Sequence, residues 1–181
     1  RPYFEVENVL KGIFKVADLL YGIQFSEIFD VPVYHKDVRV FEVTEKDGVF
    51  LALFYVDLHP RETKSGGAWM TSWRSQGLFN GKVERPLISI VANLTPPTKD
   101  KPALLTYDEV NTVFHEFGHA LHGMLSNVTY RSLASPDVYW DFVELPSQIM
   151  ENWLGEKETL QLFAKHYKTG ETIPDELIEK I

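Results

Sequence analysis

Apolar residues recur at three- and four-residue steps through residues 3–29. Val6, Val9, Leu10, Ile13, Phe14, Val16, Ala17, Leu20 and Tyr21 form one stripe, which is the period of an amphipathic helix. Gly12 weakens that pattern, and Gly22 is a natural end for a first helix. Asp30-Val31-Pro32 then breaks it. Residues 33–57 change period. Val38, Val40, Phe41 and Val43 lead to Asp47-Gly48, and the run Val49–Asp57 follows. Asp-Gly between two β-rich runs predicts a hairpin. The second run is apolar almost throughout, so it reads as a central strand covered on both faces.

Beyond it, residues 59–67 are polar and end in Gly66-Gly67, just before Ala68-Trp69-Met70. Paired glycines before an aromatic fit either a flexible turn or a close approach of backbone to a ligand. Gly66, Gly67 and Trp69 are therefore candidate substrate-binding positions, at a strand edge on which an extended peptide could add. Residues 74–86 read as loop, Pro86–Asn93 as a short strand, and 96–102 as an exposed connector. From Thr106 the chain is helical again, with Thr106 and Glu109 spaced for a capping box. That helix should run to about Leu125. A second should carry residues 141–153, with Pro146 in its first turn or kinking it. A third should cover about 156–168 and end at Gly170. The chain thus divides into a helical segment (1–30), a small β-sheet region (33–95) and a helical region (106–181). The fold class expected is mainly α with a sheet of about three to five strands, an α+β arrangement.

The chemistry lies on the helix after Thr106. Its sequence contains His115-Glu116-Phe117-Gly118-His119. At 100° per residue, His119 falls about 40° and His122 about −20° from His115. Val110, Val113, Phe117, Leu121 and Met124 fall opposite. One face is core, and the other offers two histidines one turn apart, able to share a metal with Glu116 acting on water beside it. Catalytic zinc takes three protein ligands. The third must here be His, Asp or Glu, because the chain has no cysteine. His122 lies close on the same helix, but one helix rarely supplies three tetrahedral ligands, and a place behind the ligands suits it better. Asp141, Glu144, Gln148 and Glu151 make a polar face on the next helix. Glu144 can be read as a third ligand or as a capping partner of Asp141. Asp108 and Glu151 are candidates to hold the ligand histidines, or are solvated or capping acids.

Composition narrows the partners. A net charge of −8 over 181 residues argues against nucleic acid or an anionic membrane. No apolar run has the length of a membrane span, and no signal peptide is visible. The lack of cysteine is compatible with the cytoplasm and does not exclude export. The chain starts at Arg1 and stops just after an apparent helix start at 173–178, so it reads as a piece of a larger catalytic domain.

Taken together, His115–Gly123 and the segment Asp141-Phe142-Val143-Glu144-Leu145-Pro146-Ser147-Gln148 resemble the thimet oligopeptidase / peptidyl-dipeptidase family of zinc metallopeptidases. Lys64–Met70 and Lys101–Leu105 have counterparts there too, so the likeness spans most of residues 50–180. It implies a zincin-like core, with zinc held by His115, His119 and Glu144 and with Glu116 as general base. It also implies short peptide substrates, and completion of the site by substrate-binding residues from a later segment of the same polypeptide. Ala134-Ser135-Pro136 stands where family members commonly carry Ser-Gly-Thr, so that loop should differ. The family contains enzymes that release C-terminal dipeptides and others that cut inside short peptides. Tyr139-Trp140-Asp141-Phe142 looks more like the dipeptide-releasing branch. An isolated piece of this kind would be a metal-binding domain without turnover.

Overall fold

A computed structural model describes residues 1–181. Helix α1 spans Val6–Tyr21 and buries Val9, Leu10, Ile13, Val16 and Ala17. Gly22 ends it in the left-handed region, φ 71°, and donates its N–H to Asp18 O. The first helix thus ends at Gly22, as expected, but the segment after it, expected to be helical to about residue 29, is not. Strand β1, Ile23–Ile28, follows instead and pairs antiparallel with β2, Arg39–Glu45. The apolar side chains of Ile23 and Phe25 alternate with Gln24 and Ser26, which is a period of two rather than 3.6.

Strand β2 turns into β3, Phe50–Asp57, through Gly48 at φ 90°, which is the hairpin expected. Strand β4 is Trp69–Arg74. The stretch 74–86, expected as loop, folds in part into a small hairpin. Its strands are β5, Gly77–Phe79, and β6, Lys82–Glu84. Asn80 (φ 49°) and Gly81 (φ 75°) make the turn, and Asn-Gly is the pair that positive φ at both corners favours. Strand β7, Leu87–Val91, runs parallel to β3 and antiparallel to β4. The five-stranded order is β1-β2-β3-β7-β4. β3 is therefore internal, as its composition required, and β4 is an edge.

Helix α2, Tyr107–Met124, lies on this sheet. Its capping box is complete: Glu109 N–H donates to Thr106 Oγ1, and Thr106 N–H to the Glu109 carboxylate. Glu109 also accepts from Thr95 N–H and Oγ1, which binds the connector to the helix start. Phe117 seats α2 on the core, 5.7 Å from both Phe25 and Phe54 and 6.0 Å from Phe14 between ring centres. At the other end, the Arg85 guanidinium donates to Leu51 O, Met124 O and Ser126 O. It thereby satisfies carbonyls that a helix C-terminus leaves open.

The second helix of this region, α3, is shorter at its start than expected and covers Leu145–Leu154. Residues 140–144 are a turn, and Glu144 is the N-cap, with Pro146 inside the first turn. Glu144 is therefore not a capping-box partner of Asp141. Helix α4 is Lys157–Phe163 and stops well before Gly170. The chain leaves it to donate Tyr167 N–H to Pro2 O and to bridge Lys165 with Thr172, and Gly170 at φ 73° belongs to that turn. A single turn, α5, covers Asp175–Ile178. The whole fits the α+β class. No helix is long and apolar enough to cross a membrane.

Candidate metal centre

Helix α2 places His115 and His119 one turn apart on its outer side, with ring centres 4.9 Å apart. The two Nε2 atoms converge on one atom of the next helix. His115 Nε2 lies 3.2 Å and His119 Nε2 3.1 Å from Glu144 Oε2, and one potential ligand atom from each residue falls within 4.8 Å of the other two. What allows this convergence is Gly118, on the same turn as the histidines. A Cβ there would stand 2.4 Å from Pro146 O and 2.5 Å from Ser147 Cα. With no side chain between them, α3 rests its first turn directly on α2, and Glu144, which caps that turn, reaches the histidines.

The donor set suits a cation. His115 Nδ1 is 2.5 Å from Glu151 Oε1. A carboxylate accepts, so Nδ1 donates to it, and in the neutral imidazole Nε2 then offers its lone pair. In that form the lone pair faces a carboxylate oxygen at 3.2 Å, an arrangement that a cation held between the two would stabilise. Two imidazole nitrogens and a carboxylate are a set that catalytic zinc takes, with Glu151 fixing the tautomer from behind.

The electrostatics differ from residue to residue across the group. Burial pushes the His119 imidazole below its usual pKa, more than Glu144 raises it, so His119 stays neutral and able to ligate. The hydrogen bond from Ser147 chiefly holds Glu144 below the carboxylate range. Glu116 behaves oppositely. It is only 7% exposed, and burial, aided by Glu144 and opposed by His115, raises its pKa, which makes it a stronger base than an ordinary carboxylate.

Glu116 lines the same cleft as the three convergent residues, a space of about 360 Å³. The wall across from them is Ala68, Trp69 and Met70 at the start of the edge strand β4, and Trp140 stands at the cleft as well, 92% exposed. Trp69 is thus brought to the site. Gly66 and Gly67 are not among the residues lining it. A Cβ on either would meet nothing within 4 Å, but Gly67 has φ 93°, which favours glycine. Asn93 Nδ2 donates to Ser65 O and Gly67 O and pins the loop just before Trp69.

Asp108 is exposed in the first turn of α2, which is the solvated-acid alternative, and its carboxylate makes no hydrogen bond to either histidine. His122 lies outside the convergent group. It points to a separate apolar cavity, its Nδ1 is buried without a partner, and its ring lies 6.0 Å from Phe142. The sequence reading passed over two residues that shape the site: Gly118 and Ser147. A glycine inside a strongly patterned helix was the available signal for the first. A serine three residues after a candidate ligand was the signal for the second.

The sequence model of peptidase family M3 matches residues 1–181, the full chain. The chain is 47% identical over its whole length to dipeptidyl carboxypeptidase of Escherichia coli and 44% identical to oligopeptidase A of the same organism. It is 36% identical, over 99% of its length, to saccharolysin of Saccharomyces cerevisiae. It spans about a quarter of these relatives, 26%, 27% and 26% of their lengths.

Proposed function

Since the chain belongs to peptidase family M3, we propose that the protein is a zinc metallopeptidase that hydrolyses short peptides. The convergence of His115 Nε2, His119 Nε2 and Glu144 Oε2 beside a buried Glu116 carries this reading. His115, His119 and Glu144 hold the zinc. When bound, zinc supplies Lewis acidity, polarising a peptide carbonyl and making water easier to deprotonate. Glu116 takes the proton from the attacking water and hands it to the leaving amine nitrogen. Its raised basicity suits the first step, and its position in the cleft suits the second. The peptide lies along the edge of β4, where Trp69 forms the wall and Gly67 sets the entry of the chain. Residues elsewhere in the polypeptide complete the site.

The cleavage proposed is release of C-terminal dipeptides. The likeness to dipeptidyl carboxypeptidase and the segment Tyr139–Phe142 favour it. Cutting inside short peptides is the second reading, favoured by the similar likeness to oligopeptidase A. Mass spectrometry of products from one free-carboxylate peptide and one C-terminally blocked peptide separates the two. Dipeptides from the free peptide alone support the first, and internal cuts in both support the second. For the chemistry, Glu116→Gln in the intact protein should keep its zinc and lose about 10²–10⁴-fold in cleavage rate. Retained zinc with a wild-type rate would remove Glu116 from the mechanism.

A further inference from the structure

Ser147 is fully buried, at 0% exposure, in the first turn of α3. Its hydroxyl lies 2.7 Å from Glu144 Oε2 and 2.9 Å from Glu144 O. A hydroxyl has a single proton to donate. The contact to the charged oxygen is the shorter and, as a charge-assisted bond, the stronger. The oxygen it reaches is the same one that faces both histidines at 3.1–3.2 Å. Apart from Ser147 and the two histidines, Glu144 has no side-chain partner. Its side chain is 49% exposed, it makes no cap bond to its own helix, and its other oxygen has no protein partner among the hydrogen bonds formed. A half-exposed glutamate otherwise samples many rotamers, and each would carry its carboxylate away from the histidines.

We propose that Ser147 is a positioning residue for the metal centre: its hydroxyl fixes the Glu144 carboxylate so that Oε2 is aimed at the two Nε2 atoms before any metal arrives. This rests on the reading of Glu144 as a ligand. Ser147 is itself fixed by packing, since its Cα lies against the bare face of Gly118, so its hydroxyl is a rigid reference point. Preorganisation of this kind removes an ordering cost from binding, and loss of such a partner commonly weakens metal affinity 10–100-fold.

The test is a double-mutant cycle on the intact protein, read as Zn²⁺ affinity by competition with a chromophoric chelator, with apo-protein melting measured alongside. Ser147→Ala should weaken Zn²⁺ binding 10–100-fold in the wild-type background. In the Glu144→Ala background, which has already lost the ligand, it should weaken binding no further. Unchanged affinity in the wild-type background would overturn the proposal, as would an equal loss in both backgrounds, which would mean that Ser147 acts only through packing. If Glu144→Ala itself leaves Zn²⁺ affinity intact, the ligand assignment fails and the role of Ser147 falls with it. Melting of the apo forms should differ little between wild type and Ser147→Ala.

Discussion

Replacing Gly118 by alanine should disable the metal centre without touching a ligand. The added Cβ would lie 2.4 Å from Pro146 O, 2.5 Å from Ser147 Cα and 2.9 Å from Pro146 C, against 3.4–4 Å for ordinary contact. All three neighbours are backbone, so no side chain can swing aside. Relieving the worst contact alone requires 3.4 − 2.4 = 1.0 Å of retreat by the first turn of α3. Overpacking of this kind costs about 1–3 kcal/mol. The gain in helix propensity from Gly to Ala offsets about 1 kcal/mol of that, so the net loss of stability should be small, about 0–2 kcal/mol. The effect on the metal should be larger. Glu144 caps the displaced turn, whereas metal–ligand distances tolerate only about ±0.2 Å. Zinc affinity should therefore fall about 100-fold, as when a ligand loses its support. The assay is chelator competition on the intact protein, with thermal melting in parallel. Gly66→Ala is the control, because its Cβ would meet nothing within 4 Å. Wild-type zinc affinity in Gly118→Ala would refute the view that the seating of α3 on α2 aims Glu144.

Other outcomes can be stated briefly. Glu151→Gln removes the carboxylate that fixes the His115 tautomer, so zinc affinity should drop about 10–100-fold while Glu116 keeps its place; isothermal titration with Zn²⁺ checks it, and unchanged affinity contradicts it. Asp57 is 1% exposed and takes hydrogen bonds from Arg61, Lys64 and Tyr34. Burial alone would raise its pKa, but these partners together hold it below the usual range. The folded pKa is the lower one, so its stabilisation is complete above the unfolded value of about 4 and is lost as pH falls through the folded value. Asp57→Asn should flatten that acid limb in urea-midpoint measurements across pH. It should also cost about 3–5 kcal/mol near neutrality, because Lys64, only 2% exposed, loses its counter-charge; an unchanged acid limb would show that the cluster does not set acid stability.

The parts of this structure that local pattern determines were legible in the chain. The capping box at Thr106 and Glu109, the turn at Gly48 and the apolar face of α2 all follow from residues within a few positions of one another. The His115–His119 pair follows from helix period alone. What was misread depends on distant partners. Residues 23–28 were grouped with the helical segment despite their alternation of period two; Gly22 at positive φ resets the backbone, and β2, with Ile23 opposite Glu45, captures the segment. Helix α4 ends early because the chain after it pairs with Pro2, at the other end of the sequence. Residues 140–144 form a turn, and Glu144 stands at the N-cap of α3 and not inside a helix. The Asn80-Gly81 hairpin was written locally and was passed over because its strands are only three residues each. Gly118 shows the limit of local reading. Within its own helix it is only a propensity cost, and its purpose appears only when Pro146 and Ser147 lie on it.

If two helices bring His115, His119 and Glu144 together to hold one zinc, the zinc content of the intact protein after exhaustive dialysis will show it, read by inductively coupled plasma mass spectrometry for wild type, His119→Ala and Glu144→Ala. One zinc per chain is expected in wild type and none retained in either variant. A wild-type protein that cleaves peptides while free of metal would contradict it, as would either variant holding one zinc per chain through the same dialysis.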